Sequence, residues 1–317
     1  MKDLLFAMYM GGPDSVEAIR PFLKNLFSDR TIIDFKIGTW AQNILAGVIA
    51  KSRSKKVAPL YEKMGGSSPQ LKHMKTVLEK TSAVYYAKTG RELEVRTGMC
   101  YYHPYIEDEL DKLNGSEFGN IYVMTMYPQD SYTTSGLCFK RFDEKLKTVS
   151  IKGHMKRIPF WHLNESYNSC LIARIYKAAE ALGKPLTECH ILYSAHSLPE
   201  YTLAKGDLYT VHLEEQITYI KDMLRHYNYS LAYQSRTGPV KWLGTETSVK
   251  LDQLADAGTD NIIVVPISFV SDHIETLIEL DEEYISHIRA KGINITRIES
   301  LNASDDFAES IYNVLLT

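Results

Sequence analysis

Cysteine is scarce: the 317 residues contain four, Cys100, Cys138, Cys170 and Cys189, with no CxxC pair and no histidine at finger-like spacing. A disulfide framework and a structural zinc or iron–sulfur site are therefore not expected, and the thiols read as reduced thiols of a cytosolic protein. Neither sign of charge is in excess, since 36 Lys and Arg face 39 Asp and Glu for a formal net charge of −3. No global basic field exists to recruit nucleic acid, and an anionic small molecule would need a local basic cluster. No apolar stretch reaches the roughly eighteen residues that span a bilayer. The opening Met1-Lys2-Asp3-Leu4-Leu5-Phe6 lacks the h-region and small-residue cleavage site of a secretory leader. A cytoplasmic protein is expected, at most peripheral on the inner face of the cytoplasmic membrane. Phosphate-cradling loops are wanting too: Gly11-Gly12-Pro13 and Gly65-Gly66-Ser67-Ser68-Pro69 fit neither GxGxxG nor GxxxxGK[ST], so nucleotide binding has weak support.

What is present is a chain 44% hydrophobic, long enough for two modest cores and large for one. Residues 4–10 read as a buried strand, Gly11-Gly12-Pro13 as a turn, and Asp14 as the N-cap of an amphipathic helix with Glu17 three residues on. Further apolar runs cover 99–102, 122–127, 191–194, 231–234 and 262–269, most followed by a turn and then a helical pattern. That alternation is the mark of parallel βαβ architecture. Residues 150–161 add a short strand before a helix expected over 165–182. The expected fold is α/β, with two Rossmann-like domains, 1–150 and 151–317. Each would hold a roughly four-stranded parallel sheet flanked by helices, with strand-end loops facing a shared cleft. The final helix, 305–316, is free to join either half.

Three features carry chemistry. In Leu192-Tyr193-Ser194-Ala195-His196-Ser197-Leu198-Pro199-Glu200, a histidine sits in a stiff turn directly after an apolar strand. An imidazole with an ordinary pKa of about 6.5 suits proton removal or metal ligation there, although a structural hydrogen bonder fits the same position. In Val270-Ser271-Asp272-His273-Ile274-Glu275 a second histidine precedes a carboxylate. A helix starting near Asp272 would align Glu275, Glu279 and Glu283 at i, i+4 and i+8, which reads either as a proton or metal path or as a solvated acidic face. Finally, Trp40, Ala41, Ile44, Leu45, Val48 and Ile49 recur at helical spacing and run into Lys51, Arg53, Lys55 and Lys56. Such a helix sits on an anionic membrane, lines a greasy cleft, or is an ordinary core helix.

The motifs, taken in order, resemble those of the ferrochelatase family over nearly the whole chain. They are Met10-Gly11-Gly12-Pro13 with Asn25-Leu26-Phe27, Gly65-Gly66-Ser67-Ser68-Pro69, His103-Pro104, Tyr127-Pro128-Gln129, Ser194-Ala195-His196-Ser197-Leu198-Pro199, 234–242 and 266–283. The resemblance implies paired Rossmann-like domains and insertion of ferrous iron into protoporphyrin IX with release of two protons, the last step of haem synthesis. It implies that His196 is the active-site histidine, base or first iron receiver, that His273 and Glu275 lie opposite it, and that Glu279 and Glu283 continue the path for protons or metal. Met10, Tyr101, Tyr127 and Trp242 fall at pocket positions, and Arg53, Ser68, Ser235 and Arg236 at positions that bind propionates.

Departures from the family pattern matter as much. Tyr132 stands where cluster-bearing members have an internal cysteine and the chain stops at Thr317, so no 2Fe-2S cluster is expected and no cofactor, iron being a substrate. Cys100 replaces an arginine that many members carry before the tyrosine matched by Tyr101. Met10 replaces a tyrosine of coproporphyrin-type enzymes, which favours protoporphyrin IX. Rival readings are a coproporphyrin ferrochelatase, a cobalt chelatase, or a non-catalytic porphyrin carrier, the last disfavoured because a carrier needs neither base nor carboxylate path.

Overall fold

A computed structural model describes residues 1–236 and 240–317. Thr237, Gly238 and Pro239, inside the 234–242 motif, lie outside the described residues. The chain divides into two compact units, Met1–Trp161 with Ala303–Thr317, and His162–Asn302.

The first unit is built on β1 (Asp3–Tyr9), β2 (Leu93–Met99), β3 (Glu117–Thr125) and β4 (Lys152–Ile158), all parallel and ordered β2-β1-β3-β4. Every residue of β1 is buried, as a strand paired on both edges and covered on both faces requires. Around the sheet run α1 (Ile19–Ser28), α2 (Thr39–Lys63), α3 (Gln70–Thr89), α4 (Ile106–Lys112) and α5 (Ser135–Leu146). Cys100 and Cys138, far apart in the chain, meet in this core with Sγ atoms 3.5 Å apart.

The second unit repeats the plan with β5 (His190–His196), β6 (Tyr229–Gln234), β7 (Asn261–Val265) and β8 (Asn294–Arg297), parallel in the order β6-β5-β7-β8. Its helices are α6 (Glu165–Ala181), α7 (Tyr209–Leu224), α8 (Thr247–Asp256), a π-helix Glu275–Ile285 and α9 (Ser286–Ala290). The last helix, α10 (Asp305–Leu316), belongs to the first unit. Thr81 on α3 donates to the Ala308 carbonyl, and Lys156 on β4 to that of Leu315.

Two expectations are corrected. The division falls after Trp161 and not at 150, because β4 pairs with β3, and Trp161 Nε1 donates to the Thr125 carbonyl. Asp14 caps no helix: the first helix starts at Ile19 with Ala18 as its N-cap residue. Pro21 sets that start, since it has no N–H to give and is accommodated only in the first turn.

On α2 the large apolar residues point outward, as two of the three readings of this helix require. Gln42, Ala46 and Ala50 are buried, whereas Trp40 is 79%, Ile44 50% and Val48 61% exposed. The underside is pinned by Gln42, whose amide donates to the carbonyls of Ile33 and Phe27.

Candidate active site

In each unit the strand order reverses beside the first strand, and open α/β sheets bind ligands at the carboxyl end of such a switch point. In the second unit this place lies between β5 and β7. β5 delivers His196 as its last residue, six buried positions followed by one half-buried.

The His196 ring is locked. Its Nδ1 lies 2.6 Å from the Ser197 carbonyl; a carbonyl only accepts, so Nδ1 carries the hydrogen and Nε2 keeps the lone pair in the neutral ring. Nε2 faces Glu275 at 3.7 Å. His273 repeats the arrangement, with Nδ1 3.2 Å from the Ser271 carbonyl and Nε2 3.8 Å from the other Glu275 oxygen. Two imidazole lone pairs and a carboxylate thus converge on spaces slightly too wide for hydrogen bonds. Acceptors converge stably only when a cation lies among them, a proton on an imidazole or a divalent ion. An ion about 2.1 Å from each atom spans a 3.7 Å gap at an angle wider than tetrahedral and near trigonal.

Glu275 shows the same balance. Desolvation raises its pKa, but the neighbouring charges of His196 and His273 prevail and bring it down to about 2. Its Oε2 has no hydrogen-bond partner among the described residues. This carboxylate is ionised and half-buried, and that oxygen is itself buried.

The scaffold behind these groups was not legible in the sequence. Tyr209, the first residue of α7, donates from its hydroxyl to the His196 carbonyl at 3.0 Å and meets Ser268 Oγ at 2.5 Å. Ser268 in turn accepts from the His196 N–H. Gln234, buried at the end of β6, accepts from Ser194 and donates to the Glu275 carbonyl at 2.9 Å. Asp272 anchors the 271–275 turn: it accepts from Ser300 and Asn302 and pairs with Arg297 at 3.1 Å. Desolvation raises the Asp272 pKa, yet the Arg297 charge and these hydrogen bonds hold it below the usual carboxylate range.

The expected α-helical stripe is a π-helix, a winding that occurs mostly in short stretches and often at functional sites. Residues four apart still share a face, because each turn is only slightly wider than four residues. Glu283 is exposed, at the outer end. Glu279 is committed to hydrogen bonds: it accepts from Ser235 N–H at 2.8 Å, Ser235 Oγ at 2.5 Å, Tyr284 Oη at 2.7 Å and Gln234 Nε2 at 3.3 Å. Ser235, expected at a propionate, therefore gives both donors to Glu279. Arg236 donates to the carbonyls of Leu243 and Gly244 and lies 3.8 Å from Glu246. Trp242 is half-buried in a backbone bridge to Pro199.

In the first unit, Met10 follows β1 and its N–H donates to Tyr127 Oη at 3.1 Å, while Tyr127 stacks on Tyr9. Ser68 is buried beside Gly12, where an added Cβ would come within 3.0 Å of its side chain. Arg53 is exposed, its guanidinium 5.8 Å from the Phe27 ring. Tyr101, expected as a pocket wall, is instead a core residue 1% exposed whose hydroxyl donates to Asp29.

Residues 3–317 match the family model of ferrochelatase. The chain belongs to the ferrochelatase family. It is 36% identical to the ferrochelatase of Aquifex aeolicus (strain VF5) over 319 residues, 99% of each chain. It is 34% identical to that of Geotalea uraniireducens over 316 residues, 99% of this chain and 97% of the relative. The sirohydrochlorin chelatase SirB from Bacillus subtilis subspecies spizizenii, solved in complex with cobalt, superposes with a TM-score of 0.52 at 9% identity, covering 100% of this chain and 94% of that one. That likeness speaks for the fold. This ferrochelatase is thus a metal chelatase, a lyase of haem biosynthesis acting on a porphyrin and iron.

Proposed function

We propose that this ferrochelatase inserts ferrous iron into protoporphyrin IX, releasing two protons, with His196, His273 and Glu275 as the groups that exchange protons and pass iron. The observation that carries this reading is the convergence of two Nδ1-locked imidazoles on one ionised carboxylate. The reaction removes two pyrrole N–H protons and forms bonds from iron to four nitrogens. It needs a base with a free lone pair, an anionic group to take protons or iron, and an exit. His196 Nε2 serves as the base or first iron donor, Glu275 as its acceptor, and Glu283 as the solvent end of the path. Glu279 acts through the hydrogen bonds that hold the Ser235 turn. No resident cofactor enters this scheme.

For substrate choice the support is chemical. Protoporphyrin IX has two propionates and apolar vinyl groups. Met10 and Tyr127 offer it an apolar and aromatic wall, and Arg53, Ser68 and Arg236 are the polar groups proposed for the propionates. Coproporphyrin would bring extra carboxylates against apolar surface. Each uncompensated carboxylate costs several kcal/mol, so at least about a hundredfold preference in kcat/KM is expected. The test is anaerobic turnover of ferrous iron with each porphyrin in identical detergent, followed by absorbance. Equal specificity constants, or a preference for coproporphyrin, overturn the substrate while leaving the chelatase. Bound porphyrin without turnover makes the protein a carrier.

The exposed Trp40, Ile44 and Val48 face of α2, next to Lys51, Lys55 and Lys56, supports contact with an anionic membrane surface. A cytoplasmic enzyme peripheral on the membrane's inner face follows as part of this proposal. Among the described residues, no helix is long and apolar enough to cross a membrane.

A further inference from the structure

A second set of ligating groups lies in the second unit and shares no residue with the His196 site. His162, where the chain enters this unit, and His212 on α7 are buried, 2% and 5% exposed. Their rings stack with centroids 4.0 Å apart at an interplanar angle of 16°. Glu215, three residues after His212 and therefore on the same helix face, places a carboxylate oxygen 2.9 Å from His162 Nε2. One ligand atom from each of the three lies within 4.8 Å of the other two.

The frame around them is built from two elements. Asn168 on α6 donates to the carbonyl of His162 at 2.8 Å and accepts from Gln216, the neighbour of Glu215, at 3.0 Å. The turn bearing His162 and the turn of α7 bearing His212 and Glu215 are thereby held together whatever the side chains do. Two imidazoles side by side in a core are a costly filling, since each brings polar nitrogens that must find partners and a hydrocarbon pair of similar size brings none. Glu215, its side chain half-open to solvent, completes with them a set of three donors of the kind that a transition ion takes.

We propose that His162, His212 and Glu215 form a site for a divalent first-row transition ion that ties the start of the second unit to α7. Two imidazoles and one carboxylate are the donor set of three-ligand zinc and ferrous sites, and they disfavour magnesium and calcium, which take oxygen ligands. Ligand atoms around a tetrahedral ion at about 2.0–2.2 Å sit roughly 3.3–3.6 Å apart, so binding opens the 2.9 Å His162–Glu215 contact slightly and brings the His212 nitrogen, within 4.8 Å of both, to a similar separation. Rotation of Glu215 and a tilt of His212 off the His162 face supply that movement, which ends the ring stacking. The exposed side of Glu215 leaves a further position for water.

The test uses the full chain carrying His196→Ala and Glu275→Gln, so that metal at the iron-insertion site does not contribute, with Zn2+ as the probe in calorimetry. One Zn2+ per chain at micromolar concentration is expected. Adding Glu215→Gln, a change at a solvent-facing side chain that leaves folding intact, should weaken binding at least about tenfold, and His212→Ala should abolish it. Zn2+ should also raise the thermal midpoint of the background protein and not that of the His212→Ala protein, and shift the imidazole NMR signals of His162 and His212. Mg2+ should do none of this. Absence of Zn2+ binding in the background protein, or equal binding after Glu215→Gln and His212→Ala, overturns the site. Iron insertion by Glu215→Gln with the His196 site intact should match wild type, so failure here is separable from failure of the chelatase mechanism.

Discussion

Strands β1 and β5 hold the same place in their sheets, each flanked by the next strand of its unit on one edge and by the third on the other, so that chain order reverses beside both. β1 ends with a buried Tyr9 and leads into Met10, whose N–H is capped by the Tyr127 hydroxyl. β5 ends in His196, half-exposed and locked by its own turn. One switch point is lined by apolar and aromatic groups and the other by lone pairs and a carboxylate. The fold therefore supplies the position but not the chemistry, which resides in the few residues placed at the strand ends.

The sharpest way to break this comparison is to remove the chemistry from one end and the surface from the other. His196→Ala is expected to lower kcat about 10³-fold, the scale of a lost proton-transfer group, while porphyrin affinity changes little. Met10→Ala should do the reverse, raising KM a few-fold with kcat nearly kept. Comparable kcat losses would mean that the two ends are not specialised. Glu275→Gln should approach the His196→Ala loss, because it removes the anion that balances two imidazoles, whereas Glu283→Gln, exposed at the far end of the π-helix, should cost no more than a few-fold. Equal losses would remove the gradation by depth.

The next effect is on stability. Asp272 pairs with Arg297, both largely buried, and Arg297 keeps Asp281 as a second partner. Asp272→Asn should cost about 3 kcal/mol, the low end for breaking a buried pair, and should lower kcat as well because the 271–275 turn loosens. The sign of the pH dependence follows from the depressed Asp272 pKa. A carboxyl held below its ordinary 3.8 contributes stability that is present above that value and is lost as pH falls through its folded pKa. The gap in thermal midpoint between wild type and Asp272→Asn is thus full at pH 7 and narrows below about pH 4. A gap independent of pH would show that packing, and not the charge, anchors the turn.

How much of this could be read in the sequence depended on how local each signal was. His196, His273 and Glu275 were legible because each sits in or beside a turn that directly follows an apolar run. The glutamate spacing of four was legible but not its winding, since residues four apart share a face in an α-helix and a π-helix alike. Tyr209 gave no signal, and Gln234 stood at the head of the 234–242 motif without a role, for both roles arise only when α7 and β6 come up against β5. For Tyr101 and Ser235 the packing adds what residue type does not show: type marks a capable group, and only packing shows that Asp29 and Glu279 already engage it. β8, four residues at a sheet edge, was too short for a periodicity to show.

The smallest expected effect concerns α2, and it separates membrane contact from packing. Its buried stripe is Gln42, Ala46 and Ala50, and its exposed face carries Trp40, Ile44 and Val48. A core-facing helix would have the large residues inside, so replacing those three together with Ser should leave thermal stability nearly unchanged, each exposed change falling within about 0.5 kcal/mol. The loss should appear only where a bilayer is present. KM for porphyrin presented in anionic vesicles should rise a few-fold, with kcat preserved and with no change for porphyrin in detergent. An unchanged vesicle KM together with a lowered midpoint would return α2 to the core. A rise in KM in detergent as well would instead place the face against the porphyrin edge and extend the apolar character of the first unit from Met10 and Tyr127 to the helix.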